Sequence, residues 1–531
     1  MYFIPGSLSG SNINDAESLS GRRPGIYKMR IKGKAVMAFA SLLIFFALAC
    51  PASAIAQSLE KDKNARVYTL EEIIKLVQDN SPLTRQAGNS YTASYWSYRT
   101  FQSNYLPQLS INATLPDFNR SIISVTQPDG KREFVQQSLS YWTSSLSLSQ
   151  AISATGGSVF LNSEVYRLDN YANKTVSYQS KPGLVGINQP LFQYNKLRWD
   201  KKIEPLKYTE ATRKYVEDIE IAAVRANTAF FDLLTSQVNE EFARRNMEAT
   251  DTLFKISQGR YNLGKIAENE LLQIELSLIN SRQRMASNKL NVQANTLRLK
   301  TILGLTDLQP IVLVEPGTVP QKYVNAETAV GEARKNRSNS IGFTRRLAEA
   351  DQAVAQALGN SGFTGNLYAT FGYNKATDQF KQAYLTPMNQ QQSVNLTFSL
   401  PILSWGRTKS IRRTAQANLD LVRSQVDLDD KNFQQEIYLL VQQFNISRDQ
   451  LQVAIRASEI AQKRYDITKQ RFLIGKIEIT DLNIAQQEKD AAIQARIDAL
   501  RAFWNYYYDL RRSTLYDFEA DKPILHTLTF N

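Results

Sequence analysis

The sequence predicts a mostly helical protein with a membrane β-barrel, in which long antiparallel coiled-coil helices form an α-barrel beneath strands that several copies share. Three observations predict it: a helix-breaking phrase that occurs twice, heptad repeats that outrun any globular helix, and short segments of alternating polarity just ahead of each long helix. The phrase "GRYNLGKIAENELL" at 259–272 returns 211 residues later as "QRFLIGKIEITDLN". Arg260 matches Arg471, Tyr261 matches Phe472, and Gly264-Lys265-Ile266 matches Gly475-Lys476-Ile477. Pro190 in "INQPLF" and Pro401 in "FSLPIL" keep the same offset, so the chain reads as two repeats.

Residues 1–56 stand apart from the fold. Arg30, Lys32 and Lys34 precede an apolar run from Ala35 to Ala49, and small residues close the segment at Ala54-Ile55-Ala56, the order of a secretory signal peptide cleaved after Ala56. The run is short beside the ~20 residues that cross a bilayer as a helix. Cys50 is the one cysteine, which excludes an internal disulfide, and "ALAC" loosely resembles a lipoprotein processing site, so lipidation of Cys50 is a possible alternative to its removal. The formal charge of +13 falls to +9 over residues 57–531, with Lys and Arg scattered among Asp and Glu. That distribution reads as a solvated surface rather than a nucleic-acid footprint.

Helical periodicity covers 69–103, 195–258, 266–303, 326–358, 405–473 and 479–515. At 1.5 Å per residue the second and fifth stretches reach roughly 95 and 105 Å, and rods of that length need a buried stripe. Ile437, Phe444, Leu451, Ser458, Tyr465 and Phe472 recur every seven residues, beside Phe433, Leu440, Ser447, Ala454, Ala461 and Thr468. Tyr208, Tyr215, Ala222 and Ala229, with Thr212, Ile219, Ala226 and Leu233, repeat the seam in the first rod. By length, 266–303 and 326–358 are expected to stack end to end against one rod, and 479–515 with 69–103 against the other. Residues 304–325, rich in Pro and Gly, form a belt at mid-height, and 516–531 a tail.

Strands come from period-two segments. Leu109, Ile111, Ala113 and Leu115 alternate with Ser110, Asn112 and Thr114, and "VNLTFSLP" at 394–401 alternates in the same way. Segments 143–151 and 156–168 read as an extra hairpin about Gly156-Gly157, so four strands are expected in the first repeat, 57–303, and two in the second, 326–515. Strands in lipid need a closed barrel, because each unsatisfied backbone group there costs several kcal/mol. Four to six strands are too few, since the smallest membrane barrels use about eight and those are filled by side chains. Several copies must share one barrel, and three fit.

The residues that carry these features resemble the TolC-type outer-membrane efflux proteins. "RFLIGKIEITDLNIAQQEKD" is similar to that family's R-[FY]-x-x-G-x-[VI]-x-I-T-D-[VL] helix-turn-helix phrase, 260–271 is its degenerate copy, and both strand-proline pieces match. The resemblance spans about 69–515 and implies a homotrimer, a β-barrel in outer-membrane lipid, a helical barrel in the periplasm, and an exit duct of a tripartite efflux or type I secretion system. A periplasmic adaptor and an inner-membrane pump are the implied partners. Gly264 and Gly475, where each rod must reverse, become the periplasmic tip. Glu268, Glu270, Glu478 and Asp481 become a candidate acidic ring at the closed entrance, of which Glu270 and Asp481 match the family's acidic positions. Ile477 stands where some members carry a linking arginine. Leu263 and Ile474 are candidate adaptor contacts. Helix capping and coiled-coil packing account for the same residues without a gate.

Enzyme signatures fail on inspection. Gly259-x-x-x-x-Gly264-Lys265 imitates a phosphate loop, but Ile266 replaces the magnesium-binding Ser or Thr and no strand precedes it. His526 is the one histidine, so a histidine triad or multi-histidine metal site is excluded, and no cofactor is expected. The alternative function, a secreted periplasmic coiled-coil adaptor or scaffold, would explain the rods but not the strands followed by proline in both halves.

Overall fold

The computed structural model describes residues 66–526 apart from Leu308, Thr318, Gly475 and Glu478. The signal segment, Cys50, Gly475 and Glu478 therefore lie outside the described residues. In chain order the elements are β1 (Arg66–Tyr68), α1 (Leu70–Asn80), α2 (Pro82–Ser103), β2 (Gln108–Thr126), β3 (Arg132–Ile152), β4 (Gly157–Asn170), β5 (Thr175–Leu191), α3 (Lys196–Asn262) and α4 (Glu268–Leu303). There follow β6 (Ile311–Leu313), α5 (Ala326–Asn336), α6 (Ser338–Asn360), β7 (Thr364–Thr377), β8 (Asn389–Ser399), α7 (Arg407–Leu473), α8 (Ile479–Thr514), β9 (Tyr516–Asp517) and β10 (Lys522–Pro523). Both long helices, α3 and α7, have 67 residues, and both return helices, α4 and α8, have 36. Each member of a pair starts 211 residues after its counterpart, the spacing of the repeated phrase.

Two stretches that read as single helices are each broken once. Ser81, in extended backbone (φ −63°, ψ 144°), closes α1 through its N–H to the Val77 carbonyl and caps α2 by accepting from the Leu83 N–H, with Pro82 at the first helical position. Proline tolerates that position because its missing N–H would be unpaired there anyway. The break at Arg337 has no such local signal. Its φ of −72° and ψ of 150° end α5, and the backbone N–H and hydroxyl of Ser338 both donate to the Glu217 carboxylate of α3 at 2.9 Å.

The end-to-end stacking differs from the expectation. The lower helix α4 meets the α1–α2 junction, not α5 and α6: the Ser81 hydroxyl donates to the Ile302 carbonyl at 2.7 Å, and Gly304 lies against Pro82. Likewise α8 meets the α5–α6 junction, where the Asn336 side chain donates to the Thr514 carbonyl at 3.4 Å. Each long helix is thus flanked by the half-length helices that precede and follow it in sequence, which needs no exchange between the two ends of the chain.

The seams pack as heptads require over part of each rod, while Tyr208, Ala454, Ala461, Tyr465 and Thr468 are only half-buried. Ile437, Phe444, Leu451, Phe433, Leu440 and Ser447 are buried, and in α3 Tyr215, Ile219, Ala222, Ala226, Ala229 and Leu233 are buried while Thr212 is exposed. The alanines let α8 approach α3 closely enough for Asn227 to donate to Asn505 at 2.7 Å. A second stripe on α7 stays uncovered: Leu439, Ile446, Val453, Ile460 and Ile467 recur every seven residues at 49–70% exposure. It lies ~200° round the helix from Ile437, Phe444 and Leu451, at about 100° per residue. The segment between α4 and α5 crosses both rods near their midpoints. Gln237 of α3 bonds the Ile311 carbonyl and Leu313 N–H, Asn445 of α7 bonds both backbone groups of Val324, and β6 pairs with β1 in parallel.

The main sheet has the order β2-β3-β4-β5-β7-β8, antiparallel throughout, with β2 and β8 at its edges. Four of its strands precede α3 and two precede α7, the numbers expected. Leu109, Leu148, Leu161, Val185 and Phe371 form one cross-strand row, all exposed. Asn112, Ser145, Glu164 and Lys181 form a row on the opposite face, where the Lys181 ammonium meets Glu164 at 3.2 Å. One face is greasy and the other wet, as the alternation required.

The C-terminal segment is tied to mid-height by one buried carboxylate. Glu220 of α3 is fully buried and takes contacts from Arg511 Nε at 3.2 Å and His526 Nε2 at 3.3 Å. Burial pushes its carboxyl up, but His526 and Arg511 outweigh that and hold it below the usual carboxylate range. A depressed carboxylate stabilises the fold above its unfolded pKa of about 4.3 and loses that contribution as pH falls through the folded value. Stability should therefore decline below about pH 4. Glu220→Gln should lower stability at pH 7 by about 1–3 kcal/mol, because Arg511 loses one buried charged partner and keeps Asp517 at 2.7 Å, and should flatten the acid limb. Unfolding followed by tryptophan fluorescence across pH reads both effects.

Candidate entrance at the helical turns

The two copies of the repeated phrase share helix-ending hydrogen bonds among the described residues. In the first copy Leu263 ends α3, the Lys265 N–H donates back to the Arg260 carbonyl at 2.9 Å, and the Gly264 N–H donates to the Tyr261 carbonyl at 2.8 Å. Those two bonds define a Schellman turn, which needs a left-handed residue at its centre. Gly264 supplies it with φ 68°. In the second copy the Lys476 N–H donates to the Arg471 carbonyl at 2.9 Å and the Ile474 N–H to the Gln470 carbonyl at 3.3 Å, the bonds made by Lys265 and Leu263 in the first. The glycine-lysine pair that imitates a phosphate loop is therefore a helix terminus.

Exposed apolar and acidic side chains lie at these ends. Leu263 is 73% and Ile474 66% exposed, each one residue before the glycine of its repeated phrase. Glu268 and Glu270 lie exposed in the first turn of α4, and Asp481 lies exposed in the first turn of α8. The N-cap of α4 is Ala267, which makes no side-chain cap bond. The two glutamates therefore face a bare positive helix end, which favours anions there. Among the described residues no side chain bonds to Glu268, Glu270 or Asp481. Gly475 and Glu478 lie outside the described residues.

Sequence patterns did not flag what joins the two helical hairpins in the half of the rods toward these turns. Gln486 of α8 donates to the Asn246 side chain of α3 at 2.6 Å. Within the second hairpin Arg464 pairs with Glu488, and the Lys489 ammonium lies 4.3 Å from the centre of the Tyr465 ring. The first hairpin has Arg282 against Asp251 at 3.3 Å. A neutral amide pair across 240 residues has no local signature, so no periodicity could reveal it.

Two long helical hairpins hung from an antiparallel sheet with one greasy face define a channel-forming class of membrane protein. The chain belongs to the outer membrane efflux protein family, whose model matches residues 74–305 and 345–514. Solved structures agree on the fold. The outer membrane channel CmeC of Campylobacter jejuni superposes with TM-score 0.60 at 16% identity, covering 84% of this chain and 85% of that one. A membrane protein from Pseudomonas aeruginosa gives TM-score 0.60 at 14% identity over 85% and 91%. The outer membrane protein VceC of Vibrio cholerae gives 0.57 at 14% identity over 86% and 97%. A search of curated proteins returns no match. Family membership makes the chain an outer-membrane exit channel for efflux, a conduit rather than an enzyme.

A side chain at Gly264 would meet open space, so any penalty there comes from the backbone alone. Gly264→Val should cost about 1–2 kcal/mol of local stability and Gly264→Asn less, since asparagine visits the left-handed region more readily. Hydrogen exchange at the Leu263 and Lys265 amides should quicken in that order.

Proposed function

We propose that three copies close one barrel and conduct substrates passively from periplasm to exterior, as the outer-membrane duct of a tripartite efflux or type I secretion system. The observation that carries this reading is the pair of sheet edges. An even number of antiparallel strands leaves β2 and β8 running in opposite directions. Hence β8 of one copy continues into β2 of the next without breaking the antiparallel pattern. Such a head-to-tail contact closes into a ring when the rotation allows. One copy with six strands is too small for a lumen, and three supply enough for an open channel.

The helices support the same assembly. The uncovered heptads on α7, and Leu276, Leu290 and Leu297 exposed at multiples of seven on α4, suit a coiled coil with a neighbouring copy. The repeats 57–303 and 326–515, with the belt at 304–325 and the tail at 516–531, then each contribute one hairpin per copy to a helical barrel in the periplasm. Its tip is the entrance. Glu268, Glu270 and Asp481, with Glu478, repeat threefold as an acidic ring, and Leu263 and Ile474 offer apolar contacts to an adaptor that links the duct to an inner-membrane pump. The adaptor opens the tip by parting the two hairpins, held there by the Asn246–Gln486 bond. Export depends on the signal ending at Ala56, with lipidation of Cys50 a further means of anchoring.

Planar-bilayer recording tests this reading. The wild-type protein should give a small, passive conductance that cations applied on the tip side reduce. Glu268→Gln with Glu270→Gln and Asp481→Asn should weaken that block by on the order of tenfold, the effect of removing about 1.4 kcal/mol of charge attraction. Asn246→Ala with Gln486→Ala should raise basal conductance. A protein that stays soluble without detergent and never conducts would be a scaffold instead.

A further inference from the structure

The sequence spreads its basic residues along the helices, but the fold gathers many of them at one level. The greasy face of the sheet ends below in an aromatic row, with Phe192 and Phe363 ring centres 5.4 Å apart and Phe363 and Phe398 5.3 Å apart. Phe398 shares the face of Val394 and Leu396 by period two. Beside it the chain leaves Ile402 and Trp405 at 92% and 90% exposure. Exposed aromatic side chains at the end of an apolar strand face mark the boundary between hydrocarbon and headgroups.

The chain segments at this boundary, 95–105, 192–207, 353–364 and 400–416, carry ten basic residues and two acidic ones. Both acids are already engaged, Asp200 with Lys196 at 2.5 Å and Glu204 with Lys207 at 2.8 Å. Arg198, Lys201, Lys202, Arg407, Lys409 and Arg413 are exposed and, among the described residues, have no carboxylate partner. Lys201 and Lys202 lie over the Tyr105 and Trp199 rings at 5.2 and 5.3 Å, amphipathic pairings suited to an interface. The first turns of α3 and α7 contain no acidic residue, although the helix dipole favours acids and disfavours cations there. Helix stability does not explain this distribution.

We propose that these six cations form a collar that binds the anionic phosphate headgroups of the lipid leaflet at the lower rim of the barrel. The inference rests on the reading of the greasy face as lipid-facing and adds a lipid preference to it. Charge complementarity and continuity with the aromatic row identify the occupant. Because exposed cations respond to salt, the attraction should weaken as ionic strength rises.

The test uses the full mature chain, assembled and incorporated into nanodiscs containing equal amounts of phosphatidylglycerol and phosphatidylcholine, with the lipid retained on purification measured by mass spectrometry. The wild-type protein should enrich phosphatidylglycerol by on the order of fivefold per engaged cation at low salt, and the enrichment should fall in 0.5 M salt, roughly a 4–5 Å Debye length. Arg407→Gln with Lys409→Gln and Arg413→Gln should remove most of that enrichment, whereas Lys463→Gln with Lys469→Gln and Lys476→Gln, an equal charge change near the tip, should leave it intact. Enrichment that persists in the collar variant, or that ignores salt in the wild type, overturns the collar. Unchanged enrichment with altered ion selectivity in bilayers also overturns it, placing the cations along the duct. If the collar variant does not assemble, the wild-type salt titration decides the matter. Absence of conductance alongside intact enrichment counts against the duct and not the collar.

Discussion

The backbone of β2 and β8 is the constraint from which the rest of this structure follows. A strand edge presents N–H and C=O groups that water can satisfy and hydrocarbon cannot. The row from Leu109 to Phe371 makes one face of the sheet apolar and exposed, and on the proposed reading that face lies in lipid, where the edges of the sheet cannot remain open. Covering them with another element of the same chain is not what the fold does, since α2, α3, α6 and α7 leave from one end of the strands. In the proposed assembly, identical edges on further copies resolve the problem without new chemistry.

Below the sheet the design changes from backbone to side-chain satisfaction. A helix closes its own hydrogen bonds and needs only a stripe of partners, which lets α3 and α7 run for 67 residues each. The main buried cluster gathers where α3 and α8 meet at Asn227 and Asn505 and where the belt is pinned by Gln237 and Asn445. Toward the turns the hairpins are joined by smaller polar contacts such as Gln486 to Asn246. A structure firm at its middle and lightly tied at its tip is suited to opening at the tip, because local opening costs least where few buried contacts are lost.

Much of this was legible because the signals are local. Gly264 ends α3 for a reason visible in four residues, and the duplicate at 475 gave a ruler that located both rods and both return helices within a few residues. The alternation at 109–115 and 394–400 reported the wet and greasy faces directly. The break at Ser81-Pro82 also carried a local signal, which the longer periodicity masked. The break at Arg337 did not, since Ser338 is held by Glu217, 121 residues away. Length alone misassigned the end-to-end stacking of the half-length helices, because helices of similar length are interchangeable until Ser81 meets Ile302 and Asn336 meets Thr514. The grouping of basic residues in the proposed collar escaped for the same reason: its two sets lie some two hundred residues apart in sequence.

Cysteine scanning along the two sheet edges tests the shared barrel most directly. Within one copy β2 and β8 are separated by four strands, or about 24 Å at ~4.8 Å per spacing, far beyond disulfide reach. Pairs placed on β2 and β8 should therefore cross-link only between copies, in one register, and should yield a ladder that stops at three. A monomer that stays uncross-linked in its native membrane, or an intrachain bridge between the two edges, would contradict the account.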